Sequence, residues 1–296
     1  MRDDSLIRHF SAAHSSLLPR LLPCKWSGPV LGWHKNDVNP HLQKYTHLLL
    51  GSEEDQRSND VTTRIFVPLC GKSVDLAYLA SHPKISHVVG IDIVRDAAEE
   101  FSSEHPELLI EEIRPPKECG TEKHAPDRTT CGHVAENSTF RGTNFAFLIR
   151  NMFDFLSMTT DDRAKYMSDG TYTLFDAIYD RASIVAIEPS LRKDYVTLMG
   201  ELLRPGGTIL LVTLDRRYTT TDEAKIDGPP FSLDEKEIRH LYESEPWVES
   251  VTLLEEVNDL TSDGDRERWE KKGVLELFEI VFLIRKKELS RATKSP

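Results

Sequence analysis

Short apolar runs recur along the chain, each cut off by glycine, proline or charge, and stretches of helical spacing lie between them. Ile65-Phe66-Val67-Pro68-Leu69 reads as a buried strand that Gly71 breaks. From Ser73 to Ala80 the apolar positions Val74, Leu76, Ala77, Leu79 and Ala80 fit a helix. His87 to Ile93 predicts a second buried strand with Asp92 at its end, Phe145 to Ile149 a third and Phe175 to Tyr179 a fourth. A helix from about Arg192 to Leu203 leads through Arg204-Pro205-Gly206-Gly207, a turn, into the clearest strand, Thr208 to Leu214. Ser232 and Glu235 form a capping-box pattern that opens a helix toward Tyr242. Val251 to Glu255 and Phe278 to Ile284 are expected to pair as an antiparallel edge.

Alternation of near-continuous apolar strands with helices means a parallel sheet covered on both faces. The expectation is therefore an α/β fold, a doubly wound, mostly parallel seven-stranded sheet with an antiparallel C-terminal edge pair. Residues 26–288 read as one domain, between a leader at 1–25 and a tail at 289–296. Residues 114–144 interrupt the pattern with Pro115, Pro116, Gly120, Pro126, Gly132 and Gly142 and almost no aliphatic side chains, which predicts a long disordered insertion.

Charge narrows the partners. With 37 basic against 49 acidic side chains and a net charge of −12, neither nucleic acid nor an anionic membrane is expected as a partner, although a local basic pocket for a small anion is not excluded. No apolar run approaches the roughly 20 residues that span a bilayer. Cys119, His124, Cys131 and His133 lie within 15 residues but match no common zinc-ligand spacing, so no metal is expected. The arginines and serines of residues 1–22 resemble a transit peptide, but Asp3 and Asp4 count against it, leaving a cytoplasmic monomer as the default.

In an open parallel sheet the ligand sits beyond the carboxyl ends of the strands. That rule selects Leu69 to Lys72, Asp92, Asn151 to Asp154, and Asp180-Arg181. Gly71 lets backbone approach a ligand, and Asp92, 21 residues on, can accept hydrogen bonds from both hydroxyls of a ribose. The spacing is that of a dinucleotide fold, but the Gly-x-Gly-x-x-Gly run that takes a pyrophosphate is missing. A nucleoside without phosphates, such as S-adenosylmethionine, fits better than NAD; a purely structural turn explains the pair about as well. Taken alone, Asp180-Arg181 reads as an ion pair at a strand end, Trp33 as a core aromatic, Cys70 as a small buried hydrophobe and His34 as structural.

Longer strings carry a resemblance. Phe66-Val67-Pro68-Leu69-Cys70-Gly71-Lys72-Ser73-Val74-Asp75 resembles the Pro-Leu-Cys-Gly-Lys motif of the thiopurine S-methyltransferase family, and Val88-Val89-Gly90-Ile91-Asp92 is similar to its second strand. Ile178 to Ile187 resembles the fourth-strand signature, Gly228-Pro229-Pro230-Phe231-Ser232 the late loop, and Gly32-Trp33-His34 with Val38-Asn39-Pro40 the N-terminal lid. The matches cover roughly residues 26–285 in order; Leu22 stands where the family often has a further tryptophan.

The resemblance implies a class I, S-adenosylmethionine-dependent methyltransferase acting on the sulfur of a small thiol, thiopurine-like or otherwise aromatic or heterocyclic, and releasing S-adenosylhomocysteine. Two alternatives stay open: another small acceptor (a selenium or tellurium species, halide, or an oxygen or nitrogen nucleophile), or a non-catalytic cofactor-binding module. Carried over by position, Trp26 and Trp33 would close over the cofactor, with Trp33 also facing the substrate. Leu69 and Gly71 would line its methionine and ribose side, Asp92 would hold the ribose, and Asn151 and Met152 would contact the adenine. Arg181 would reach both cofactor and reacting atoms, and Arg268, five residues before Gly273, would stand near the substrate; these two arginines are the catalytic candidates.

Overall fold

The computed structural model describes residues 35–51, 62–113, 138–154, 174–218, 229–258, 263–271 and 273–289. Trp26, Trp33, His34, the leader, the 119–133 group of cysteines and histidines, and all of the tail but Leu289 lie outside them. In chain order the described residues form helix α1 (Pro40–Leu49), strand β1 (Thr63–Val67), α2 (Val74–Ser81), β2 (Ile85–Asp92) and α3 (Arg95–Glu104). The short strands β3 (Glu111–Ile113) and β4 (Ser138–Arg141) come next, then β5 (Phe145–Ile149) and β6 (Phe175–Arg181). Helix α4 (Arg192–Leu202) runs straight into β7 (Leu203–Tyr218), followed by α5 (Glu235–Glu243), β8 (Val248–Asn258), α6 (Asp263–Glu270) and β9 (Val274–Lys286). All seven expected strands are present, and β3 and β4 are two more. Among the described residues no helix is long and apolar enough to cross a membrane.

The chain divides into two compact units, one of residues 1–39 and 64–173, the other of residues 40–63 and 174–296. In the first, the strand order is β3-β4-β5-β2-β1. Strands β2 and β5 pair in parallel from Val88↔Phe145 to Asp92↔Ile149, and every residue of β5 is buried, which is why both read as continuous apolar runs. Strand β4 lies antiparallel to both β5 and β3. It corrects the reading of 114–144 as one disordered insertion, because Ser138, Thr139 and Phe140 are buried in the sheet. Arg95 at the start of α3 fastens this edge: Nη2 donates to Glu112 of β3 at 2.7 Å and Nη1 to Ser138 of β4 at 3.3 Å. At Gly90 a Cβ would stand 2.7 Å from Cys70 Sγ, so only glycine lets the loop after β1 lie against β2.

In the second unit the order is β6-β7-β9-β8, with β6 and β7 parallel and the other pairs antiparallel. The expected edge pair forms, with Val251 opposite Ile284 and Leu253 opposite Phe282. The expected turn at Arg204 to Gly207 is instead an irregularity within β7, between Leu203, opposite Phe175, and Thr208, opposite Ala177. The capping box sits two residues later than predicted, on Asp234 and Glu237. Ser232 is engaged elsewhere: its hydroxyl donates to Asp215 at 2.9 Å and accepts from the Arg216 amide at 2.8 Å. Helix α1 is held by His41, whose ring nitrogens meet Glu255 at 2.5 Å and Glu279 at 3.1 Å, while Lys44 also pairs with Glu255. Burial works against the His41 cation, but the bonds to Glu279 and Glu255 outweigh it and its pKa stands raised.

Candidate active site

At the carboxyl ends of β1 and β2 the first unit gathers Leu69, Gly71 and Asp92. Leu69 has φ +39° and Gly71 φ +49°, so the chain turns sharply after β1. The Cys70 amide donates to the Ile91 carbonyl at 3.0 Å. Asp92 Oδ2 accepts from the Gly71 amide at 2.9 Å, and Oδ1 accepts from the Val94 amide at 3.0 Å. Desolvation pushes the Asp92 pKa up, and the amides of Val94, Gly71 and Ile93 counter it only in part. A carboxylate offers about four lone-pair directions, so with these amides bound it keeps acceptor capacity for a ribose hydroxyl.

Register brings the third strand end to the same place. Asp92 stands opposite Ile149, and the Arg150 amide donates to the Asp92 carbonyl at 2.9 Å. Asn151 closes its own turn, its Oδ1 accepting from the Phe153 amide at 3.0 Å, and Met152 is buried beside it. Leu69, Gly71, Asp92, Asn151 and Met152 thus share one end of one sheet.

The other residues of the Pro-Leu-Cys-Gly-Lys string serve the scaffold. Cys70 is buried and its thiol pKa is driven well above the ordinary range, first by desolvation and then by Asp92, so it is no thiolate. Lys72 Nζ pairs with Glu100 at 2.8 Å and Glu104 at 2.7 Å on α3. Ser73 caps α2. Asp75 is buried, and its Oδ1 accepts from the Asn39 amide at 2.8 Å. That bond, unseen in the sequence because its ends lie 36 residues apart, ties the described end of the lid-like motif to the loop motif.

In the second unit Arg181 ends β6 opposite Val212. It is half-buried, and its Nε is buried with no hydrogen-bond partner among the described residues. Asp180 does not pair with it in the way the sequence suggested. The Asp180 carboxylate, fully buried, accepts from the Ser183 amide at 3.2 Å and from Tyr195 Oη of α4 at 2.6 Å. The next residue after Arg181, Ala182, has φ +59°. Outside glycine, positive φ occurs among the described residues at Leu69, Leu109 and Ala182, and two of these three follow strand ends picked out by sequence.

The late loop is held within the same unit. The Phe231 amide donates to the Val185 carbonyl at 2.6 Å, and the Leu233 amide to that of Leu214 at 3.0 Å. Arg192, a buried residue that sequence reasoning missed, donates from Nη2 to the carbonyls of Phe231 at 3.2 Å and Ser232 at 3.4 Å. The charged run around Arg268 forms α6, which Trp269 anchors against Val274 and Leu277. The Arg268 side chain lies outside what is described.

Asp180 gives this unit a pH signature. Desolvation lifts its pKa from 3.8 to about 6, against the hydrogen bonds from Tyr195 and Ser183. Between those values the native state binds more protons than the unfolded state, so stability falls as pH rises through the window. The cost is absent below pH 4 and complete above pH 6, at ~3 kcal/mol for a rise of about two pKa units. Urea unfolding of Asp180→Asn, which does not ionise, should show it gaining by about that amount relative to the parent between pH 4 and pH 7. A difference independent of pH would contradict the assignment.

Comparison with known proteins adds sequence relatives. The family model described as thiopurine S-methyltransferase matches residues 23–168 and 167–287. A thiopurine S-methyltransferase of Vibrio atlanticus is 32% identical over 260 residues, covering 88% of this chain and 94% of that protein. One from Pseudomonas fluorescens is 31% identical over 261 residues, 88% of this chain and 95% of its own length. Among solved structures, the N-methyltransferase NodS of Bradyrhizobium japonicum, in complex with S-adenosylhomocysteine, aligns over 86% of this chain and 90% of its own at 12% identity and a TM-score of 0.46.

Proposed function

The chain belongs to the thiopurine S-methyltransferase family and is an S-adenosylmethionine-dependent methyltransferase; on that premise we propose that it methylates the sulfur of a small aromatic or heterocyclic thiol, a thiopurine or a molecule of that shape. The observation that carries the cofactor part of the reading is the pair formed by the Gly71 amide and the Asp92 carboxylate at the end of the sheet, while the sulfur acceptor rests on the family. A buried carboxylate with acceptor capacity left, beside a turn of positive φ, fits a nucleoside's ribose, and its charge disfavours a pyrophosphate.

In this reading Asp92 holds the ribose hydroxyls, Leu69 and Gly71 flank the methionine side, and Asn151 and Met152 flank the adenine. Trp26 and Trp33, outside the described residues, are assigned by the family resemblance to the cofactor, and Trp33 also to the acceptor. S-adenosylmethionine brings a methyl group already activated on a sulfonium, so the chain's own task is alignment and electrostatics. In-line displacement requires the acceptor atom held in near-attack geometry. The guanidinium of Arg181, with a buried Nε left unpaired among the described residues, can favour the thiolate by charge, and Arg268 is assigned the same part on the substrate side. Neither arginine abstracts a proton. A net charge of −12 favours a small-molecule acceptor over nucleic acid or an anionic membrane, and a cytoplasmic monomer remains our reading of the chain.

The test is methyl transfer from labelled S-adenosylmethionine to a panel of aromatic, heterocyclic and aliphatic thiols, with alcohol, amine and halide controls and calorimetry on the same sample. Transfer confined to thiols is expected. Transfer to a control nucleophile, or tight cofactor binding with transfer to nothing, would replace this reading with another acceptor or with a binding module.

A further inference from the structure

We propose that Asp180 and Tyr195 are a positioning pair that holds the left-handed turn at Ala182 and through it aims the Arg181 guanidinium. The inference rests on reading Arg181 as the charged group beside the acceptor.

Backbone pairing with β7 fixes the chain as far as Arg181, with Asp180 opposite Leu211 and Arg181 opposite Val212. Successive side chains on a strand point to opposite faces, so Asp180 and Arg181 diverge. A carboxylate that neutralised Arg181 would cancel its field. Here the carboxylate instead faces α4, where it accepts from the buried Tyr195 hydroxyl at 2.6 Å. Its other oxygen accepts from the Ser183 amide at 3.2 Å, on the far side of Ala182, and the Ser183 hydroxyl and Ile184 amide also donate to the carboxylate.

Ala182 itself sits at φ +59°, a conformation that disfavours any residue carrying a Cβ. Its amide donates to the Val212 carbonyl at 2.9 Å, and the chain then closes a turn from the Ala186 amide to the Ser183 carbonyl at 2.9 Å. With one side of the turn bonded to β7 and the other to Asp180, the strained residue is clamped from both directions. Tyr195, fully buried on α4, keeps Asp180 from swinging away. Without that hydroxyl the carboxylate keeps only its bonds from Ser183 and Ile184 within the turn and loses its tie to α4; the turn is then free to shift as a unit, Ala182 relaxes toward negative φ, and Arg181 moves with it. A misplacement of about 1 Å is enough to cost up to 100-fold in rate.

A tyrosine that merely tied α4 to β6 would give different results in five variants. Methyl transfer from labelled S-adenosylmethionine to 6-mercaptopurine and to thiophenol is measured for Tyr195→Phe, Ala182→Gly, the two combined, Arg181→Ala, and Tyr195→Phe with Arg181→Ala. Tyr195→Phe is expected to lower kcat about 10- to 30-fold, with the cofactor dissociation constant within about threefold of the parent. Adding Ala182→Gly, which makes the left-handed turn free of steric cost, should restore kcat to within about threefold. Tyr195→Phe should add no loss on top of Arg181→Ala.

Loss of activity only in proportion to the folded fraction, with no rescue by glycine, would overturn the proposal and leave Tyr195 an anchor. An Arg181→Ala variant that keeps full turnover would instead sink the reading of Arg181. A crystal structure of Tyr195→Phe judges the turn without any acceptor. Displacement of the Arg181 guanidinium by about 1 Å supports the pair, and an unmoved guanidinium overturns it.

Discussion

Replacing Asp92 by alanine should weaken binding of S-adenosylmethionine about 100-fold, or ~2.7 kcal/mol. Hydrogen bonds to a charged acceptor contribute roughly 1.5–3 kcal/mol each, so one or two from a ribose account for that loss. The change acts on the loop as well as on the ligand. The amides of Gly71 and Val94 both donate to this carboxylate, and both would lose their acceptor. A thermal destabilisation should therefore accompany the loss of affinity. Asp92→Asn separates the two effects, because it keeps one carbonyl acceptor and the side-chain volume. It should recover much of the stability while most of the affinity stays lost. Titration calorimetry on folded protein is the measurement, and an unchanged dissociation constant for Asp92→Ala would remove the cofactor assignment from this end of the sheet.

Arg181→Ala should behave in the opposite way, lowering kcat on the order of 100-fold while the cofactor dissociation constant changes less than about fivefold. The half-buried guanidinium, with its Nε buried and unpaired among the described residues, has charge to spend on an anionic nucleophile. Such a group acts where charge sits in the transition state rather than on the resting cofactor. Single-turnover kinetics with a thiol acceptor, set beside calorimetry, divides the two roles. Equal losses in turnover and affinity would make Arg181 a binding residue only.

The strands that carry the site could be read from sequence because a parallel strand buried on both faces is a continuous apolar run, as in Val88 to Ile91 and Phe145 to Ile149. Strands β3 and β4 escaped because Glu111–Ile113 is largely exposed and Ser138–Arg141 carries a single large apolar side chain. Helix α3 buries only Ala97, Ala98 and Phe101, a stripe too thin to stand out among its charges. Around α5 two overlapping patterns, Ser232 with Glu235 and Asp234 with Glu237, both fit a capping box. The choice between them was made by Asp215, 17 residues away from Ser232 in the chain. The same holds for Asp180, whose partner is 15 residues downstream, and for Asp75, whose partner is 36 residues upstream. Local pattern finds the strand ends and the family strings; side-chain bonds between distant segments decide what each polar residue there is bonded to.

The pairing of β3 with β4 has a practical side. Residues 114–137 connect two antiparallel neighbours, Ile113 standing opposite Thr139, so the connection starts and ends at one sheet edge. Closing such a loop costs only about 0.6 kcal/mol more for each doubling of its length. Ser138 also shares a row with Ile149 and Asp92, two strand spacings or roughly 10 Å away across the sheet. A dye attached at Ser138 would stand within that distance of Asp92, so if the carboxylate takes the cofactor as proposed, the edge of the sheet becomes an optical gauge of its loading.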